Sequence, residues 1–321
     1  LGEESEDKAK KRSVVFVVGA TASGKSDLAL SMAKRHKGVI FNCDSIQIYS
    51  GLDRGSAKPT KKECLEVPHH LLNMIGPPNV MTTGDYRRAF EDEIKKIPID
   101  QPVFLVGGTG FYFQAIENGL YPVAKASPKM RKQIEDELQQ EDGAIKLYAE
   151  LKKKDPFTAL KISLNDHYRL VRALEIIRTE NTTLTEIKKK FATEKAPPDF
   201  RLLKIGVVCQ REELFVRIQK RSELMVQSGL RQEVQSFLDQ GLGAWPPLAS
   251  VGYAQAGQAI RENKSDLWLI EAISTGTRQL AKKQRTWFKR DPEIFWVEDE
   301  QSKLTAEKLL ATFLQRRLDE P

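Results

Sequence analysis

The chain has 321 residues, 40% of them hydrophobic and 30% charged, a balance that supports a buried core and excludes wholesale disorder and collagen-like repeats. At roughly 150 residues per domain, this length suggests about two domains. The net charge of +7, from 51 Lys and Arg against 44 Asp and Glu, permits a polyanionic partner without demonstrating one.

Residues 1–12, with Glu3, Glu4, Glu6 and Asp7, read as a flexible charged leader too acidic for a signal or transit peptide. The strongest apolar run, residues 14–18, is far short of the roughly 18 residues that span a bilayer. A soluble, cytoplasmic protein with no membrane partner is therefore expected. That run, VVFVV, has the β-branched continuity of a strand buried on both faces of a parallel sheet. A turn follows over 19–26, then a helix over 27–34 with Leu28, Ala29 and Met32 inward. Residues 39–43 read as a second strand ending at Asp44, 85–96 as a helix, and 103–106 as a third buried strand running into Gly107, Gly108 and Thr109. This alternation predicts an α/β fold, a P-loop nucleoside-triphosphatase-like parallel sheet core.

After Tyr121 and Pro122 the character changes. Ser127 before Pro128 is an N-cap followed by proline at the first helical position, and Asp155 before Pro156 repeats the device. Asn165 is the predicted cap of a helix carrying Leu170, Leu174 and Ile177 at i, i+4 and i+7. Only helices are predicted from 123 to 198. The core is thus assigned to 13–122 and 199–321, interrupted by an all-helical insertion domain over 123–198. Residues 202–208 read as a returning strand, and 211–240 and 265–290 as amphipathic C-terminal helices.

Cys43, Cys64 and Cys209 are far apart with no CxxC pair, so neither a disulfide framework nor a zinc ribbon is indicated. Cys64 with His69 and His70 makes at most a partial metal site; a small core thiol beside loop histidines is the favoured reading. From 278 to 290 stand Arg278, Lys282, Lys283, Arg285, Lys289 and Arg290 with no acid, beside Trp287 and Phe288. A solvated helix face usually mixes signs, so this stretch is a candidate nucleic-acid contact.

The firmest chemical signal is Gly19, Ala20, Thr21, Ala22, Ser23, Gly24, Lys25 and Ser26, which match GxxxxGK[ST] between a buried strand and a helix. Glycines let backbone N–H groups turn toward an anion, the helix N-terminus adds its positive dipole end, and Lys25 adds a mobile charge. A Ser26 hydroxyl can ligate Mg²⁺. A kinase or ATPase would place a metal-holding acid at the end of another buried strand. Here 105–109 reads LVGGT, and the acid follows the second strand instead, at Asp44. That carboxylate is either a cap or metal-shell group, or a general base at the carboxyl edge of the sheet.

At this point the chain resembles the tRNA dimethylallyltransferase (tRNA isopentenyltransferase) family, bacterial type, over about residues 13–298. The resemblance rests on the phosphate loop, Asp44-Ser45 with Gln47 and Tyr49, and Gly55, Ser56, Ala57, Lys58 and Pro59. It continues through Pro68, His69, His70, Leu71 and Leu72, Asp85, Tyr86, Arg87 and Arg88, and Leu105 to Thr109 with Tyr112. Further on it includes Asn165-Asp166, Arg169-Leu170, Arg172, Ala173, Leu174 and Glu175, Val251, Gly252 and Tyr253, and 277–284, TRQLAKKQ.

The resemblance implies transfer of a dimethylallyl group from dimethylallyl diphosphate to N6 of adenosine 37, in tRNAs reading codons that start with U. Pyrophosphate is released, Mg²⁺ is the cofactor, and the enzyme is a monomer. It implies Asp44 as general base, with Thr109 near the reacting centre and Arg221 beside the leaving group. Arg221 lies four residues after Arg217, so the two share a predicted helix face. Gly19, Thr21, Ala22, Ser23, Gly24, Lys25 and Ser26 would bind the diphosphate. The tRNA anticodon stem-loop would meet Asp44, Ser45, Ile46, Gln47 and Thr109, then Arg131, Tyr168, Arg169, Leu170, Val171 and Arg172, and finally Ser250, Val251, Gly252 and Tyr253. A diphosphate leaving group needs no γ-phosphate apparatus, which accounts for the missing acid after the third strand.

The chain departs from the family pattern at Ala20, where proline is common, at Ser163-Leu164 in place of His-Pro, and at Ala254-Gln255, where Arg or Lys often follows the tyrosine. Two other readings compete: an isopentenyltransferase acting on free AMP, ADP or ATP, which would need neither the helical insertion nor the basic helix, and a small-molecule P-loop kinase. A non-catalytic RNA-binding protein is disfavoured by the joint presence of Lys25, Ser26, Asp44 and Thr109.

Overall fold

The computed structural model describes residues 11–121, 127–194 and 198–315. The chain divides into two units, one formed by Leu1–Glu117 with Pro198–Pro321 and the other by Asn118–Pro197. The predicted boundary at 122/123 falls on residues 122–126, outside the described ones.

The first unit is built on six strands: β1 (Arg12–Gly19), β2 (Val39–Cys43), β3 (His69–His70), β4 (Val103–Gly107), β5 (Phe200–Val207) and β6 (Phe295–Val297). Their order is β3-β2-β4-β1-β5-β6, and every pairing is parallel. The β1 run works as its composition requires. Val14, Phe16 and Val18 pack on one face with Phe113 and Phe288, while Val15 and Val17 pack on the other against Leu28, Ala29 and Met32. Val14, Val15 and Val17 are fully buried, each contributing about 1.5–3 kcal/mol relative to an exposed side chain.

Register then places the site. Cys43 of β2 is paired with Gly107 of β4, where any side chain on Gly107 would run into the Cys43 carbonyl. The two strands therefore end side by side, and Asp44 and Thr109 leave the same carboxyl edge as the turn after β1, the edge where open α/β sheets bind ligands.

The structure corrects several expected elements. Arg12, assigned to the leader, opens β1, and its guanidinium donates to the carbonyls of Pro98 and Ile97; residues 1–10 lie outside the described ones. His69 and His70 form the short edge strand β3 rather than a loop, and Cys64 is half-buried on helix Lys61–Glu66 rather than in the core. Among the described residues no group of three or more His, Cys, Asp or Glu is arranged to hold a metal. The helix expected at 85–96 is Thr83–Ile94, started by Thr82 and Asp85, which cap each other's backbone N–H. The single helix expected over 211–240 is two, Arg211–Gln227 and Leu230–Asp239, broken at Gly229 with φ 100°. No described helix is long and apolar enough to cross a membrane.

The second unit carries helices Pro128–Leu138, Gly143–Lys154, Pro156–Ala159, His167–Glu180 and Leu184–Glu194. Ser127 and Asp155 cap as their position before proline requires. Asp166, not Asn165, caps the fourth helix, accepting from the Arg169 N–H at 3.2 Å. Ile134, Leu147, Leu151, Leu170, Val171 and Leu174 are among the residues of its core, and the Arg178 guanidinium joins Glu137 to Glu150.

Candidate active site

The loop after β1 is shaped by backbone geometry. Gly19 sits at φ 155°, where a side chain would run into the Val207 carbonyl. Ala22 at φ 63° and Gly24 at φ 94° supply the left-handed bends, and the Ser23 N–H closes onto the Ala20 carbonyl at 3.2 Å. Ala20 in place of proline leaves this turn intact. Helix Lys25–Arg35 then starts without any side-chain cap, so its first amides remain available to an anion. Ser26 is exposed on the first turn.

The Thr21 N–H is engaged by the Gln284 Oε1 at 2.8 Å, and the Gln284 amide donates in turn to the Gly108 carbonyl at 3.0 Å. Gln284 thus ties the phosphate loop to the turn that carries Thr109, and it takes the backbone donor that Thr21 was expected to offer a diphosphate. Gln284 closes the 277–284 motif, where nothing in the local sequence marks this role.

Asp44 leaves β2 into a turn that its own side chain caps. Oδ1 accepts from the Ile46 N–H at 2.8 Å and the Gln47 N–H at 3.3 Å, while Oδ2 has no hydrogen-bond partner among the described residues. The capping and general-base readings are therefore compatible, one oxygen serving each. The Asp44 N–H is held by the Asn42 Oδ1 at 3.2 Å, and the Asn42 carbonyl by the Tyr86 hydroxyl at 2.7 Å. Tyr86 is fully buried and stacks on Tyr112 with centroids 3.9 Å apart. Thr109 accepts from the Ser45 N–H at 3.0 Å, donates to its hydroxyl at 3.4 Å, and sends its own N–H to the Cys43 carbonyl. Asp44, Ser45 and Thr109 are thus brought together across β2 and β4.

Three charges share this edge. Burial, then the Arg221 guanidinium, push Lys25 down to about 8, against the pull of Asp44. Burial likewise lowers Arg221, and Asp44 raises it. Among the described residues Arg221 reaches only the Ser56 carbonyl, at 3.5 Å, and its Nε is buried without a partner. Two cations pressed together with an unsatisfied donor are arranged to favour a bound anion. Arg217, one turn earlier, places a guanidinium nitrogen 3.1 Å from where a side chain on Gly24 would begin, and Glu213 braces it at 2.6 Å. The i, i+4 spacing with Arg221 was the only signal of this in the sequence.

The residues expected to meet RNA divide. Ser45 and Ile46 are half-buried in the Asp44 turn, and Gln47 spends its amide on the Ser56 and Ala57 carbonyls. Ser250 bonds back to the Pro247 carbonyl, and Val251 is half-buried. Gly252, at φ 96°, donates to the Gln255 Oε1 at 2.8 Å, so glutamine at the second departure position closes the following helix. Tyr253 is 1% exposed, with its hydroxyl donating to Glu233 and accepting from the Gly55 N–H.

In the second unit Tyr168 is 69% exposed with Arg131 over its ring at 5.8 Å. Arg169 is exposed beside Asp166, and Arg172 is paired at 2.9 Å with the buried Glu175. The side chains of Leu170 and Val171 belong to the hydrophobic core of that unit.

No acid follows β4, and the carboxylate leaves β2 beside Lys25 and Arg221; the parallel sheet and the loop after β1 define a phosphate-loop α/β protein. Over residues 47–291 the chain matches the family model for IPP transferase, and it belongs to that family, as the motif resemblance implied. It is 50% identical over 288 residues to the tRNA dimethylallyltransferase of Bdellovibrio bacteriovorus, covering 90% of this chain and 94% of that one. It is 38% identical over 296 residues to the protein of that name from Geobacter metallireducens, covering 90% and 93%. The crystal structure of the full-length tRNA isopentenylpyrophosphate transferase from Bacillus halodurans is similar with a TM-score of 0.69 at 29% identity, covering 96% of this chain and 99% of that one.

Proposed function

We infer that this chain transfers a dimethylallyl group from dimethylallyl diphosphate to the exocyclic N6 of an adenosine in tRNA, at position 37 of molecules reading codons that begin with U. The observation that carries the reading is the grouping of the unpartnered Asp44 Oδ2 with Lys25, Arg221 and its orphaned Nε beside the uncapped helix. The enzymes named above, similar over nine-tenths of the chain, carry the names of that activity.

The chemistry follows from the residue types. The N6 lone pair is delocalised into the adenine ring, so the amine is a weak nucleophile. As N6 attacks C1 of the dimethylallyl group, the C1–O bond breaks, its electron pair leaves with pyrophosphate, and an N6 proton passes to the Asp44 carboxylate. General-base assistance of this kind is worth about 10²–10⁴-fold. Lys25, Arg221, Arg217 and the loop amides offset the charge that grows on the departing diphosphate. Thr109 holds the Ser45 end of the Asp44 turn in place. A stacked base must leave the anticodon loop to reach such an edge.

Magnesium suits this site as an ion carried mainly by diphosphate and water: the Ser26 hydroxyl is exposed beside the loop, and among the described residues no carboxylate or histidine cage competes. Bound there, it would further neutralise the leaving group.

The test offers labelled dimethylallyl diphosphate and Mg²⁺ to the enzyme with an unmodified anticodon stem-loop carrying A36, A37 and A38, and in parallel with free AMP. Label in the RNA alone is expected. Label in AMP alone would move the activity to free nucleotides, and label in neither would overturn the assignment.

A further inference from the structure

Beside the phosphate loop, helices Arg211–Gln227 and Asp266–Phe288 line a cleft of about 580 Å³ that Lys25, Asp44, Thr109 and Arg221 do not reach. Its wall carries Arg211, Arg278, Lys282 and Arg285 and no acid. Arg278, Lys282 and Arg285 recur at i, i+4 and i+7 and so share one face of their helix. The basic stretch picked out in the sequence therefore turns part of its charge toward the back of the loop.

None of the four cations is ion-paired among the described residues, whereas Arg217 and Arg231 in the same unit are. Arg211 and Arg278 lie instead 5.3 and 5.4 Å from the centre of the Phe215 ring, and Arg278 donates to the Thr275 hydroxyl. The loop contributes Ser23, which is 4% exposed, lines the cleft, and has a buried hydroxyl with no partner among the described residues. Several cations without a carboxylate and a buried donor without an acceptor form the donor set of an anion site. Phe215, Phe288 and Trp296 add an apolar wall.

We propose that this cleft is a second diphosphate-binding site, abutting the phosphate loop and taking pyrophosphate or a prenyl diphosphate. It rests on the reading that the loop itself holds a diphosphate. A charged subsite at that place shortens the transfer of the anion between solvent and the loop.

The experiment is calorimetric titration of the full chain with inorganic pyrophosphate, in the wild type, in Lys25→Ala, and in the double variants Arg278→Gln/Arg285→Gln and Arg278→Lys/Arg285→Lys. Two sites are expected in the wild type. Lys25→Ala removes one; the glutamine pair weakens the other about tenfold or more, as the loss of charge-assisted hydrogen bonds requires; and the lysine pair largely retains it. A single site, lost in Lys25→Ala and unchanged in the glutamine pair, overturns the proposal. Two sites of which Lys25→Ala removes neither would instead defeat the loop reading. If the glutamine pair keeps both pyrophosphate sites but loses anticodon stem-loop affinity, the cations serve RNA and the proposal is overturned. Repeating the titration with dimethylallyl diphosphate separates the sources: a second site for both ligands assigns it to the incoming donor, and a second site for pyrophosphate alone assigns it to the product.

Discussion

The carboxyl edge of the sheet and the helix His167–Glu180 were both marked by runs of adjacent residues, yet the two runs fold to different ends. At the edge the marked residues lie in turns, where successive amides and side chains can converge on one ligand. Asp44 and Thr109 are joined there through the Ser45 N–H, and Arg221, from within helix Arg211–Gln227, is near enough to lower Lys25. On the helix, successive residues point about 100° apart, so a run of five cannot share a face. Tyr168 and Arg169 are exposed, while Leu170 and Val171 are buried in their unit's core. A contiguous motif in a turn can thus keep its groups on one edge, whereas the same run on a helix is divided between surface and core.

The sharpest way to break the first half of this contrast is Asp44→Asn. The amide oxygen still accepts from the Ile46 N–H, so the turn should survive, but proton acceptance is lost. Turnover should fall about 10²–10⁴-fold with pyrophosphate and stem-loop binding close to wild type. Near-normal single-turnover rates would reduce Asp44 to a cap.

The second half is tested by a pair of substitutions two residues apart. Leu170→Ala should cost about 2–5 kcal/mol of stability, the usual result of emptying a buried leucine site. Tyr168→Ala should leave thermal unfolding unchanged and weaken stem-loop binding by about 1–3 kcal/mol, the range of a base–aromatic stack. Denaturation and RNA-binding curves on both proteins decide, and exchanged phenotypes would return Leu170 to the interface.

A pH series sharpens the electrostatic account. With Lys25 held near 8 by burial and Arg221, the unfolded chain binds more protons than the native one between about pH 8 and 10.5. The contribution of Lys25 to stability therefore rises with pH across that window. Pyrophosphate affinity must run the other way: the anion selects the protonated ammonium, so binding should be flat below about 8 and decline above it. In Lys25→Arg, whose guanidinium stays charged across this range, the decline should vanish. If it persists there, another group controls the titration.

Much of this was readable before the fold was known. The phosphate loop announces itself because its geometry is local: glycines, a lysine and a hydroxyl within eight residues, after a run that can only be a buried strand. Asp44 was legible for the same reason, sitting one residue past such a strand. Gln284 was not, since its hydrogen bonds reach back to Thr21 and Gly108 across more than half the chain, and no local pattern encodes that distance. Nor was the burial of Tyr253, decided by Glu233 and Gly55 from two other segments. Position in a motif was evident; the direction each side chain takes depends on neighbours that only the tertiary structure supplies.

Tyr253 provides the smallest effect and the finest discrimination. Its phenol is kept protonated by burial and by the Glu233 carboxylate, both of which push it upward, and it joins that carboxylate to the Gly55 backbone. Tyr253→Phe removes one hydroxyl from an otherwise unchanged core and leaves the Gly55 N–H without its acceptor. A loss of about 1–3 kcal/mol in unfolding free energy is expected from that unsatisfied donor, with stem-loop affinity and the donor KM held within twofold. A variant of full stability that binds RNA poorly would show the hydroxyl facing the nucleic acid after all, and would extend the converging behaviour of the sheet edge to the start of helix Tyr253–Arg261.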